Sequence, residues 1–254
     1  FARYSGRVCG LLSEFKQKND TLVVLPSCGF AEEVPFPMRN DGVFPSERAK
    51  AMQSRLYAAA RYLTENQIGW DVTDVKGINE ASIVGGKVAI GDCKYDKVIF
   101  IRGGEEEAAA SRRIAETCVD CVTFDGESFD GFPARSGFVG GENVLALTKY
   151  RGEERLRFLY QNDKSFAEVA VPIKGRTVIY DAERDEYLNA RPVNGELKVG
   201  MRGYRSVIVI DCASESRAAD KEYVYERTGD ALLECEERPQ WVYMPRGATG
   251  AITR

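Results

Sequence analysis

Histidine is missing from all 254 residues of this sequence. Its absence removes the usual general base, the commonest metal ligand and every nucleophile–imidazole pair of the Ser-His-Asp or Cys-His kind. No apolar run comes near the roughly 20 residues that span a bilayer, and the opening FARYSGRVCGLL lacks the layout of a secretory signal, so no membrane is expected among the partners. An excess of charge of one sign is also lacking. The 35 basic and 39 acidic residues are spread along the chain with a net charge of −4, which leaves no electrostatic footprint for nucleic acid. Cysteines number seven, at positions 9, 28, 93, 118, 121, 212 and 235; an odd, irregularly spaced set does not make a disulfide scaffold.

What is present divides into two textures. With 44% of its residues apolar, the chain can bury one large core or two moderate ones, and the patterning favours two. Residues 4–15 (YSGRVCGLLSEF) have the apolar spacing of a helix at the very start, and Phe1 is not a start methionine, so the sequence reads as part of a longer polypeptide. TLVVL (21–25), ended by Pro26, reads as a strand buried on both faces, and a long proline-rich loop is expected over 26–45. Ser46 then opens a helix through residue 67, with Ala51, Leu56, Ala59, Ala60 and Leu63 as its apolar stripe. WDVTDV, KVIFI and VDCVTFD add strands, INEASIV a short helix, and EEEAAASRRIAETC a longer one with acids in its first turn. This alternation predicts a small, open, mostly parallel sheet with flanking helices over residues 1–132.

From residue 133 the period changes to two. RFLYQND, AEVAVPI, TVIYDAERDEYLNA, GELKVGM and YRSVIVI alternate apolar and polar residues between turn-prone Asn162-Asp163, Lys174-Gly175 and Asn194-Gly195, which predicts an antiparallel β-sandwich over 133–213. Residues 214–254 are expected to form a linker and additional strands that pack on the sandwich or start a further domain.

Each candidate for chemistry has a plainer competitor. Cys28 follows the first strand, where a nucleophile would stand, but no base accompanies it. Cys118 and Cys121 form a CxxC motif at a helix C-terminus, without the further ligands of a metal site or the helix N-terminus of a redox site. Gly103-Gly104 stands where α/β proteins bind anions, yet Glu105, Glu106 and Glu107 follow and repel phosphate, so a tight turn is the reading adopted and no cofactor is expected. The loop after the first strand carries Glu32, Glu33, Arg39 and Asp41, which with Glu105 are the candidates for a substrate rim; Trp70 and Trp241 are sugar platforms or core residues. No residue is assigned a catalytic or metal-binding role.

The order of these segments resembles the C-terminal region of rhamnosidase-type glycoside hydrolases, in which an amidotransferase-like α/β domain and a β-sandwich follow the catalytic barrel. YSGRVCGLL with TLVVLP resembles the helix and first strand after the barrel; RFLYQND, VIYDAERDEY and YRSVIVI resemble the family's sandwich strands. Tyr180 and Asp185 stand where Trp and Thr-Gly are usual, and the strand and helix that close the family's α/β domain are shortened or absent. The resemblance implies a flavodoxin- or amidotransferase-like sheet and a noncatalytic role, structural or at the substrate rim. It further implies that the family's catalytic carboxylates lie in a barrel outside this sequence. The partners implied are an upstream catalytic domain of the same polypeptide and a carbohydrate. Two alternatives stand beside it. One is a carbohydrate- or protein-binding module, marked by a concave face that includes Tyr150, Tyr160, Tyr180, Tyr187 or Tyr204; the other is a carboxylate-dependent hydrolase that joins Glu32 or Glu33 to Glu105.

Overall fold

The computed structural model describes residues 2–33, 46–134, 143–217, 219 and 221–223. The chain starts with α1 (Ala2–Ser13) and the short strand β1 (Lys16–Gln17), then enters the buried β2 (Thr21–Val24). Instead of a loop directly after Pro26, a helix α2 (Ser27–Glu33) follows. The longest helix, α3 (Glu47–Glu65), is capped by the Ser46 hydroxyl, which accepts from Ala49 N at 3.0 Å. Its buried stripe is Ala49, Met52, Ala59 and Leu63, rotated slightly from the one expected.

Next come β3 (Trp70–Thr73), α4 (Val75–Glu80), the antiparallel meander of β4 (Ser82–Val84), β5 (Lys87–Ile90) and β6 (Cys93–Tyr95), and the fully buried β7 (Lys97–Ile101). The helix expected at INEASIV lies earlier, because the Asp74 carboxylate caps Gly77 N at 2.8 Å and starts α4 one turn upstream. α5 (Glu105–Ala115) and β8 (Asp120–Phe124) complete this unit.

The four strands β2, β3, β7 and β8 pair in parallel in the order β3-β2-β7-β8. Period-two alternation divides their side chains between two cores. Leu22, Val24, Val98 and Phe100 pack against α4, the meander and α5; Val23, Ile99, Ile101 and Phe124 pack against α3.

The second unit contains β9 (Val144–Arg151), β10 (Glu154–Gln161), β11 (Ala167–Pro172), β12 (Thr177–Asp181), β13 (Glu186–Ala190), β14 (Glu196–Met201), β15 (Ser206–Asp211) and β16 (Lys221–Glu222). Seven strands form one sheet in the order β1-β9-β10-β15-β12-β13-β16, antiparallel except for the β13–β16 pair, while β11 and β14 pair separately. Val169, Val171, Leu197, Val199 and Met201 of that ribbon share a core with Leu159, Ile179 and Val209 of the large sheet. Asn194 and Gly195 both adopt left-handed φ (53° and 78°), as the turn before β14 requires.

The opposite face of the large sheet is covered by α1. Val8, Leu11 and Phe15 pack on Leu156, Val178, Tyr180, Ile208 and Ile210, and β1 adds an edge strand beside β9. α1 and β1, which precede the parallel sheet in the chain, are therefore packed with the second unit. The helix needs an apolar sheet face for its stripe, and both faces of the parallel sheet are already occupied by its own crossover helices.

Candidate functional site

Counted in chain order, the parallel strands lie 2-1-3-4, so the chain turns one way after β2 and the other way after β7. Sheets of this kind bind ligands where the direction reverses, outside the carboxyl ends of the two diverging strands. Here that crevice lies between the start of α2 and the start of α5.

The crevice is filled from within. Glu107, only 2% exposed, turns its carboxylate back across both helix starts. Its Oε1 accepts from Cys28 N at 2.7 Å and Gly29 N at 3.3 Å, and its Oε2 accepts from Gly104 N at 2.7 Å. An anion at this place satisfies N–H groups that have no partner within their own helices and meets the positive ends of two helix dipoles. The protein supplies that anion itself, in a capping box whose N-cap is Gly104.

The same geometry accounts for the glycines. A Cβ on Gly29 would lie 2.8 Å from Gly104 N and from Met52 Sδ, one on Gly103 would lie 2.7 Å from Pro26 Cβ, and one on Gly104 would lie 2.7 Å from Glu32 Oε1. Gly29→Ala is accordingly expected to push the two helix starts apart and to destabilise the protein by about 1–3 kcal/mol. A urea midpoint equal to that of the parent would show that the crevice has slack.

Cys28 is held as a thiol. Its Sγ donates to Glu106 Oε2 at 3.1 Å, and this bond, burial and the neighbouring Glu107 charge together push its pKa up to about 11. A nucleophilic cysteine needs the opposite environment.

Of the residues expected at a substrate rim, Glu32 and Glu33 lie on α2 and share one partner. Arg48 of α3 donates to both, at 2.8 Å each, and Glu33 is held below the usual carboxylate range, first by Ser46 and then by Arg48. Glu105 projects into solvent with Arg112 at 2.6 Å. Arg39, Asp41 and Trp241 lie outside the described residues. Above the Glu107 carboxylate and beside this rim, a cleft of about 660 Å3 is lined by Gly103, Gly104 and Glu107 together with Arg48, Arg102, Glu105, Arg112, Thr123 and Asp125. Trp70 is half-buried against the α3 core, and Cys121 lies on β8 with Cys118 just before it.

The sequence reading took the three glutamates as a barrier to phosphate and missed that Glu107 is itself the ligand of the crevice. The spacing of Gly104 to Glu107, an N-cap followed three residues later by an acid, carried that signal.

Neither a protein-family model nor a curated protein matches the sequence. Among solved structures, the chain is similar over 64% of its length to a rhamnosidase from Novosphingobium sp. PP1Y, with 13% identity and a TM-score of 0.41. It is similar over 78% of its length to a β-galactosidase from Bacillus circulans sp. alkalophilus, with 7% identity and a TM-score of 0.46. The chain spans 21% of the former and 42% of the latter, and both of these structural neighbours are glycoside hydrolases.

Proposed function

We propose that this chain is a noncatalytic accessory segment of a larger carbohydrate-active enzyme, with an upstream catalytic domain of the same polypeptide as its partner. One observation carries the noncatalytic part: the Glu107 carboxylate occupies the switch-point crevice of the parallel sheet. In an amidotransferase-like sheet this is the place for a thiolate nucleophile and an oxyanion hole. Three backbone donors that would form such a hole already bond Glu107, the Cys28 thiol stays protonated, and no imidazole exists to activate it. The carbohydrate part rests on the resemblance to rhamnosidase-type enzymes.

The rim residues Glu32, Glu33 and Glu105, with Arg39 and Asp41 on the same stretch of chain, then border a substrate bound to the catalytic domain. Arg48 gathers Glu32 and Glu33 into one charged patch. They are not an acid and nucleophile pair, because both face the same cation.

Hydrolysis of aryl rhamnosides and aryl galactosides, measured for this chain beside a longer polypeptide that includes the preceding domain, tests the reading. Activity confined to the longer protein is the expected result. Turnover by the 254-residue chain alone would overturn it and direct mutagenesis to Glu32, Glu33 and Glu105.

A further inference from the structure

A second concavity lies at the far end of the β unit, and its origin is a parting of two strands. β12 and β15 pair from Thr177↔Asp211 to Tyr180↔Ile208 and then separate. β15 continues along β10 through Val207 and Ser206, whereas β12 leaves into the turn toward β13 at Asp181 and Ala182. The gap becomes a slot of about 720 Å3, within the size range of small-molecule sites.

Aromatic rings line much of this slot: Tyr4, Phe158, Tyr160, Tyr180, Tyr204 and Tyr223. Tyr4 and Tyr180 have their hydroxyls engaged, by Ser206 Oγ at 2.5 Å and Asp185 Oδ1 at 2.6 Å, so their rings are fixed in place. The hydroxyls of Tyr160 and Tyr204 have no partner among the described residues. Across the mouth, Arg205 Nη1 donates to Glu183 Oε1 at 2.7 Å, and Arg202 and Asp181 add a second cation and a second anion to the lining, so that its charges balance.

Tyr204 is the most unusual of these residues. It is 48% exposed and holds a left-handed φ of 56°, which a bulky side chain seldom adopts. The surrounding chain enforces this conformation. Tyr204 N donates to Gln161 O and Asp163 O at 3.1 Å each, Gln161 N donates back to Arg205 O at 3.0 Å, and a side chain on Gly203 would collide with the Lys164 carbonyl. The backbone that carries this exposed ring is thus held, at a conformational cost, beside a concavity. Strain of this kind clusters at ligand clamps and active sites.

We infer that this slot binds a neutral oligosaccharide, with one pyranose stacked on Tyr204 and its hydroxyls bonded by Arg205, Glu183 and the phenol of Tyr160. The chemistry selects this class. Aromatic ring faces suit the C–H face of a sugar, charge-neutral donor and acceptor pairs suit vicinal hydroxyls, and the pairing of Arg205 with Glu183 disfavours phosphorylated ligands. The inference rests on the carbohydrate reading above and gives that reading a physical site.

Calorimetric titration of the full 254-residue chain with methyl β-D-galactopyranoside, methyl α-L-rhamnopyranoside, maltotriose and cellotriose tests it. At least one is expected to bind in the millimolar range or tighter. Tyr204→Ala is expected to weaken that binding about tenfold, the equivalent of ~1.4 kcal/mol. Tyr204→Gly, which removes the ring but welcomes the left-handed φ, is expected to weaken it equally while melting no lower than the parent. Tyr150→Ala, at a tyrosine that is 40% exposed outside the slot, is expected to leave affinity unchanged. Binding that survives both Tyr204 variants overturns the assignment, and so does failure of all four sugars to bind at millimolar concentration. Either result leaves the hydrolysis comparison standing, so loss of this site and loss of the accessory reading are separate outcomes.

Discussion

Glu107→Ala is expected to cost about 3–5 kcal/mol, a large share of the stability of an ordinary domain. The variant leaves the N–H groups of Cys28, Gly29 and Gly104 without their acceptor, two of them in fully buried bonds, and each unsatisfied donor carries a penalty of about 1–3 kcal/mol. It also removes the negative charge that the starts of α2 and α5 converge on. Glu107→Gln keeps the volume but turns an NH2 toward donors, and a loss of about 2 kcal/mol is expected. Urea unfolding gives both values. A second readout isolates the electrostatic role: inorganic phosphate is expected to raise the midpoint of Glu107→Ala and to leave the parent unchanged, because only the variant has an open anion position. If Glu107→Ala unfolds within 1 kcal/mol of the parent, the crevice is not held by this carboxylate and the proposed function loses its main support.

Acid is expected to remove about 3 kcal/mol of stability between pH 4.5 and 2, through a network that joins three distant parts of the second unit. Glu154, at the start of β10, is 6% exposed. Its Oε1 accepts from Ser214 N at 2.8 Å and Arg217 Nε at 3.1 Å, and its Oε2 accepts from Arg151 at 2.6 and 2.8 Å. Arg217, 4% exposed, continues to Glu14 at 2.8 Å and to the Tyr187 hydroxyl at 2.6 Å, and its guanidinium lies 5.2 Å from the Phe15 ring centre. The network therefore ties the end of α1 to the sheet and to the chain that leaves β15.

Burial alone would raise the Glu154 pKa. The Ser214 backbone and hydroxyl, Arg217 and Arg151 outweigh it and hold the group at about 2. Because the folded value lies below the unfolded one, the unfolded chain takes up the proton first as pH falls. The stabilisation is complete above pH 4.5 and disappears as pH drops through 2. Asp211 adds in the same direction: burial opposes its charge, but Arg155 and the N–H groups of Lys174 and Gly175 hold it below the usual range. Urea midpoints from pH 7 to pH 2 measure the effect, and Glu154→Gln is expected to flatten the acid limb. Arg217→Ala is expected to be worse than Glu154→Gln at neutral pH, by about 2–3 kcal/mol relative to the parent, since it removes at once the bonds to Glu154, Glu14 and the Tyr187 hydroxyl. An acid limb equally steep in Glu154→Gln would place the proton uptake elsewhere.

Local pattern carried most of the secondary structure. The strand in KVIFI is where its apolar run places it, those in VDCVTFD, AEVAVPI, GELKVGM and YRSVIVI are where the sequence pattern places them, and Asn194-Gly195 makes the expected turn. Residues 27–33 were harder. Their seven-residue helix lacks the length that makes a helical period visible, and it exists because its N–H groups meet Glu107, which is 74 or more positions away in the sequence. The candidate site divides in the same way. Glu32 and Glu33 were visible as acids, but their shared Arg48 comes from another helix. The tyrosines of the slot were visible singly, while the slot itself arises from the register at which β12 and β15 separate.

By itself, the sequence determined the chemistry that is excluded, since no fold can supply an imidazole that is not encoded, and it determined the period of each element, since that depends on neighbours two to four residues apart. Only the tertiary structure decided that α1 covers the antiparallel sheet and not the parallel one, that Glu107 accepts from the N–H groups of two helix starts at the switch point, and that a strained Tyr204 stands beside a slot. These three features depend on contacts between residues far apart in the chain. Such contacts form only when burial of the apolar faces has brought those segments together, and a local pattern contains no record of which faces meet.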